Sequence, residues 1–252
     1  VDAVAKYGHA LARGGLCVGL DPDPARLPAA VGGDVAVFLR EVIQATQSRV
    51  GAFKLNAAFY EAQGSAGWRL LEKVRAWISP EMLLILDGKR GDIESSNRAY
   101  ATAAFDALGV DAVTVHPYLG MAPLAPFWER SDRMTFVLCA TSEGRTLQTL
   151  PTAAGEPLYL WVARQVAALQ RPGCGLVVGA TAPDELAAVR AAAPALPLLV
   201  PGVGAQGGAW PVGPALVNVS RAILYASAGT DFALAAHRAV EQLLEAQHAH
   251  GN

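Results

Sequence analysis

Leu84-Ile-Leu-Asp87-Gly-Lys89-Arg-Gly-Asp92-Ile93 sets an acid, an ammonium and an acid within six residues, directly after an apolar run. Residues two apart on a strand share a face, so Asp87 and Lys89 are predicted to project together. Asp92 follows in the loop. Charges at the end of a buried strand are costly unless they pair or serve a purpose. One reading is a salt-bridged loop capping a helix that begins near Ser95. The other is a functional site.

Working outward, short apolar runs recur at 16–20, 52–56, 82–86, 112–115, 135–140, 175–179, 198–200 and 215–219. They are rich in Val, Leu and Ile with little polar alternation, as in strands buried on both faces. Helix-like segments lie between them at 35–47, 67–77, 96–108, 158–169, 183–192 and 231–247. The fourth and seventh connections are weaker, because Pro123 and Pro126 interrupt one and Pro211 and Pro214 the other. Eight strands alternating with helices in 252 residues predict a (β/α)8 TIM barrel rather than a doubly wound sheet. The whole chain, 1–252, reads as one barrel domain with a short N-terminal helix around 4–11.

Polar residues gather after the apolar runs: Asp21, Lys54, Asn56, Asp87, Lys89, His116, Thr141, Ser142, Thr181, Gly202 and Arg221. In a barrel those strand ends line one mouth. Lys54 ends the strand before Asp87. Alone it reads as a lysine reaching to water from a strand end. Beside Asp87 it gives the mouth two ammonium and two carboxylate groups. The chain otherwise prefers arginine, and its lysines are Lys6, Lys54, Lys73 and Lys89. Asp21 before Pro22 is either a turn former or an acceptor for sugar hydroxyls. Thr141 and Ser142 are either hydroxyl caps or readers of an amide edge. His116 is assigned no catalytic role.

The run Pro201-Gly-Val-Gly-Ala-Gln-Gly-Gly208 contains a G-x-G-x-x-G, but it comes late and opens no helix, so the dinucleotide reading fails. It reads better as a loop whose backbone, at Gly202, approaches a phosphate. Arg221 in Asn218-Val-Ser-Arg221 can clamp phosphate oxygens, and backbone N–H groups near Ser220 can add to it.

Other classes fit poorly. A net charge of −2 and the lack of basic runs give no sign of a nucleic-acid partner. The apolar segment 191–200 is interrupted by prolines and too short to span a bilayer. Cys17, Cys139 and Cys174, each in an apolar run, read as reduced, buried thiols of a cytoplasmic protein. No metal-ligand spacing stands out.

The block Leu86-Asp-Gly-Lys-Arg-Gly-Asp-Ile93, with Lys54-Leu-Asn-Ala-Ala-Phe-Tyr-Glu61 before it, resembles the orotidine 5'-phosphate decarboxylase family, in its bacterial branch often called type 2. Residues 200–208 and Val219-Ser-Arg-Ala-Ile-Leu-Tyr225 resemble its phosphate segments. The likeness runs from about 16 to 229. It implies cofactor-independent decarboxylation of orotidine 5'-monophosphate to uridine 5'-monophosphate in pyrimidine biosynthesis, by a homodimer. Carried over, Lys89 is the proton donor to C6, Asp87 faces the departing carboxylate, and Lys54 holds Asp87 and reaches the ribose. Asp92 is an acid given across the dimer interface, and Asp21 binds ribose. Ser96 matches a hydroxyl position. Ser142 contacts the pyrimidine, while Gln206 and Arg221 grip the phosphate. Leu55 and His116 depart from the branch, which favours Pro and Asn there. Two rivals stand beside this reading. One is a metal-dependent sugar-phosphate decarboxylase or aldolase sharing D-x-K-x-x-D, which wants an acid near Lys54. The other is a non-catalytic phosphate-ligand sensor, which has no use for the charge array.

Overall fold

The computed structural model describes residues 2–141, 143, 145–203 and 208–250. The chain starts with helix α1 (Ala3–Ala12) and strand β1 (Leu16–Gly19). Then come α2 (Val35–Thr46), β2 (Ala52–Asn56), α3 (Ala57–Glu61), α4 (Gly64–Trp77), β3 (Leu83–Arg90) and α5 (Glu94–Ala101), the last running into a wider π-helical turn at Thr102–Ala107. Next are β4 (Ala112–Val115), α6 (Ala125–Trp128), β5 (Met134–Ala140), α7 (Arg145–Gln148), α8 (Leu158–Ala168), β6 (Cys174–Val178) and α9 (Pro183–Ala192). The chain finishes with β7 (Leu198–Pro201), β8 (Leu216–Val219), α10 (Arg221–Leu224) and α11 (Phe232–His250). Each strand pairs in parallel with the next and β8 closes on β1, so the predicted (β/α)8 barrel is the fold.

The apolar runs form strands for the expected reason: nearly every strand position is buried. Outward residues such as Val18, Phe53, Leu84 and Val113 pack into the main core with the helices. Inward residues at the N-terminal end, including Cys17, Ala52, Ile85, Ala112, Phe136 and Leu199, make a second apolar cluster. Helix α1 closes that end with Ala3, Tyr7 and Ala10. The Tyr7 hydroxyl accepts from Leu198 N at 2.9 Å and donates to Leu198 O at 3.0 Å. Lys6 of α1 forms a buried pair with Asp111, at 2.6 Å.

Two residues further along the same inward faces, the chemistry changes. Ala52 is followed by Lys54, Ile85 by Asp87, Ala112 by Thr114 and Leu216 by Asn218. An interior period of two therefore carries the apolar floor up into a polar mouth.

β3 is longer than the apolar run predicts, continuing through Arg90. Its register with β4 is broken between Leu86 and Arg90, where Arg90 pairs with Val115. Lys89 sits in the left-handed region at φ 45°, so the strand bulges where the charges lie. Prolines shorten the fourth connection to a 3-10 turn (Ala122–Leu124) and the four-residue α6. In the seventh, no helix lies between β7 and β8 among the described residues.

Candidate active site

The C-terminal mouth of the barrel opens into a cavity of about 680 Å³. Asp21, Lys54, Asp87, Lys89, Gly202, Ser220 and Arg221, expected at a site from the sequence, all line it. Asp87 is the hub. Lys54 Nζ donates to its Oδ2 at 2.9 Å and Lys89 Nζ to its Oδ1 at 2.7 Å. Strand register explains the first contact, because Asn56 lies opposite Asp87 and Lys54 opposite Ile85 on β2 and β3. Lys54 also reaches Asp21 Oδ1 at 4.0 Å, and Asn56 N donates to that oxygen at 3.2 Å.

Burial pulls both members of the central pair toward their neutral forms, and the charges overrule it. Desolvation would raise the Asp87 carboxyl, but Lys54 and Lys89 hold it well below the usual carboxylate range. Desolvation would lower the Lys54 ammonium, but Asp87 and Asp21 raise it above its ordinary value. The array is therefore ionised, with each Asp87 oxygen already carrying an ammonium. Lys89 is the more accessible of the two amines: its side chain is 46 % exposed against 4 % for Lys54.

Thr114 was not singled out from the sequence. Its Oγ1 donates to Asp87 Oδ1 at 2.8 Å and accepts from Lys89 N at 3.0 Å. One hydroxyl thus fixes the acid and the bulged backbone of the lysine together. The available signal was a polar residue two after Ala112, on the strand beside Asp87. Asn56 and Asn218 also line the cavity and were given no role.

Asp92 does not join the array of its own chain, and neither it nor Ser96 lines the cavity. Its backbone is held instead. Asn97, fully buried, accepts from Asp92 N at 3.0 Å and donates to Asp92 O at 2.6 Å and Pro123 O at 2.7 Å. The loop is rigidly presented, and the exposed Ile93 (59 %) stands beside it. His116 lies outside the cavity, in an apolar cleft with Tyr118 and Trp161. Thr141 lines the cavity, but its Oγ1 donates to Glu143 O and accepts from Gln148 Nε2. Ser142 and Gln206 lie outside the described residues.

At the other side of the mouth, Gly202 takes φ 100°, a conformation that favours glycine, and its carbonyl accepts from Gly208 N at 3.1 Å. That hydrogen bond sets Gly208 against Gly202, which shares the cavity wall with Ser220 and Arg221, at the usual phosphate position of such barrels.

A closed (β/α)8 barrel with an acid–lysine array at its C-terminal mouth and a glycine loop after β7 defines a class of barrel lyases acting on phosphorylated ligands. Within that class the chain belongs to the orotidine 5'-phosphate decarboxylase / HUMPS family, whose pattern matches residues 14–230. It is 49 % identical over 245 residues to an orotidine 5'-phosphate decarboxylase of Herpetosiphon aurantiacus, covering 92 % of each chain. It is 48 % identical to one of Thermomicrobium roseum, over 90 % of this chain and 88 % of the relative. Among solved structures, the OMP decarboxylase of Leishmania donovani superposes with a TM-score of 0.84 at 35 % identity, covering 98 % of this chain and all of the other.

Proposed function

We propose that the protein decarboxylates orotidine 5'-monophosphate to uridine 5'-monophosphate in pyrimidine biosynthesis, without a cofactor. The observation that carries this reading is the Lys54–Asp87–Lys89 array, with Lys54 and Asp87 buried, Lys89 open to the cavity and both oxygens of Asp87 already held by ammonium groups. A substrate carboxylate set against Asp87 is poorly placed as an anion and well placed to leave. The C6–carboxylate bond breaks, carbon dioxide departs, and the electron pair stays on C6. Lys89 faces that charge as it develops, lowers its energy, and delivers a proton to C6. Solvent then reprotonates the amine. Asp21 and Lys54 hold the ribose, and Ser142 reads the pyrimidine.

Arg221, Gln206 and the backbone at Gly202 and Ser220 hold the phosphate. That contact is remote from C6, so its binding energy can drive closure of the mouth and exclusion of water. Ammonium groups on both Asp87 oxygens leave that acid a poor ligand for a divalent cation, which weighs against the metal-dependent alternative.

The whole chain works as one barrel domain, in the cytoplasm, as a homodimer. Asp92 supports the dimer: it is a rigidly held acid that does not line its own cavity, and it belongs to the partner's site together with Ser96. The exposed Ile93, Tyr118 and Leu119 near it supply apolar surface for such an interface.

The test is to mix the protein with orotidine 5'-monophosphate and a chelator and follow the ultraviolet change to uridine 5'-monophosphate. Turnover with chelator present is the expected result. No turnover would refute the reading, and turnover abolished by chelator would favour the metal-dependent alternative.

A further inference from the structure

The amide of Asn218 forms no side-chain hydrogen bond among the described residues, yet it is 93 % buried and lines the cavity. A buried amide without a partner is uncommon, because losing water without replacement is costly. Asn218 follows Leu216 on the inward face of β8, beside Pro201 of β7 and one residue from Gly202. Its Oδ1 is sealed from solvent, which leaves the Nδ2 end of the amide facing the cavity.

Its neighbours mark the position. A Cβ placed on Gly19 would lie 2.7 Å from Ser220 Cβ, 3.1 Å from Asn218 Oδ1 and 3.2 Å from Asp21 Oδ2. Three polar side chains thus converge around a glycine that leaves them room. Ser220 Oγ is also buried without a partner. Asp21 stands on the ribose side of the proposed substrate, while Ser220, Arg221 and Gly202 stand on the phosphate side. Asn218 lies between the two groups.

We propose that Asn218 contacts the substrate, with Nδ2 donating a hydrogen bond to an oxygen of the ester link between ribose and 5'-phosphate. This rests on the reading that a nucleotide occupies the cavity. Asparagine suits the place because its amide donates without adding charge. An aspartate there would sit against Asp21 and repel phosphate. A leucine would fill the space and offer nothing to the ester. Asn218 then makes the site sensitive to whether the sugar is phosphorylated, independently of Arg221.

The test measures calorimetric binding of uridine 5'-monophosphate, ribose 5-phosphate and uridine to the wild type, Asn218→Ala and Asn218→Asp. Asn218→Ala is expected to weaken both phosphorylated ligands about tenfold, the scale of one hydrogen bond to a charged group, and to leave uridine within about twofold. Asn218→Asp should weaken the phosphorylated ligands further and again spare uridine. It is close in size to asparagine, so it carries the comparison if the alanine variant does not fold. Equal weakening of uridine and its phosphate, or no weakening of any ligand, would overturn the assignment. Wild-type protein that binds neither phosphorylated ligand would instead overturn the nucleotide reading, and this proposal with it.

Discussion

Lys54 Nζ lies 2.9 Å from Asp87 Oδ2, with the two side chains only 4 % and 11 % exposed. Asp21 stands behind the same ammonium at 4.0 Å. A lysine this deep remains charged because two acids face it, and Asp87 remains charged because two lysines face it. The cluster is mutually supporting, so each member's removal is felt by the others.

Acid should expose this dependence. The unfolded chain protonates Asp87 near the ordinary aspartate value of ~3.9. The folded chain keeps it ionised to lower pH, because Lys54 and Lys89 overcome the effect of burial. Below ~4 the unfolded state therefore binds more protons, and the stability Asp87 contributes, fully present above that pH, is lost as the pH falls toward the folded value. Urea unfolding of wild type and Asp87→Asn should show a gap that narrows from pH ~5 to pH ~2. A gap that does not change with pH would mean that Asp87 is not held ionised by its partners.

Thr114→Val removes the hydroxyl that joins Asp87 Oδ1 to Lys89 N. It leaves a strand-end N–H without its partner, so unfolding free energy should fall by about 1–3 kcal/mol. The lysine it steadies should also lose alignment. We expect kcat to drop about tenfold, equivalent to ~1.4 kcal/mol in the barrier, with little change in KM. Unaltered kcat in a folded variant would confine Thr114 to a structural role.

Sharing of Asp92 between subunits can be read from hybrids. Lys89→Ala and Asp92→Ala proteins should each be nearly inactive, while Lys89→Ala still binds uridine 5'-monophosphate. Mixed and re-equilibrated, half of a closed two-fold dimer population is hybrid, and each hybrid has one intact site of two. Activity should return to roughly a quarter of wild type. No recovery from a demonstrably exchanged mixture would place Asp92 in its own chain's chemistry or in none.

At the opposite end of the barrel, Tyr7→Phe deletes the hydroxyl that both accepts from and donates to Leu198. The loss should cost about 1–3 kcal/mol in thermal or urea unfolding, with kcat and KM unchanged. A kinetic effect as large as the stability effect would mean that the helix plug communicates with the mouth.

Much of this was legible in the sequence because both the barrel and its mouth follow a period of two. The runs at 52–56 and 112–115 are the strands β2 and β4, and of the polar residues after the runs Asp21, Lys54, Asn56, Asp87, Lys89, Thr141, Gly202 and Arg221 gather in one cavity, while His116 and Thr181 do not. β3 was read short because hydrophobicity ends at Leu86, while hydrogen bonding continues through a bulge to Arg90. Thr114 escaped notice because a threonine inside Val-Thr-Val is also an ordinary strand former. Asp92 read as the third member of a local trio because spacing along the chain says nothing about direction. After the bulge, Asn97 draws that loop toward Pro123 and away from the cavity.

The left-handed backbone at Lys89 sets two kinds of selection against each other. A side chain in this conformation carries a penalty of roughly 1–2 kcal/mol that glycine does not have. Glycine would relieve the backbone there but would take from Asp87 one of the two ammonium groups that hold it ionised, and cultures that must make their own pyrimidines would hold the site at lysine. Residue 89 is therefore a place where backbone strain, ion pairing and metabolism all bear on one letter.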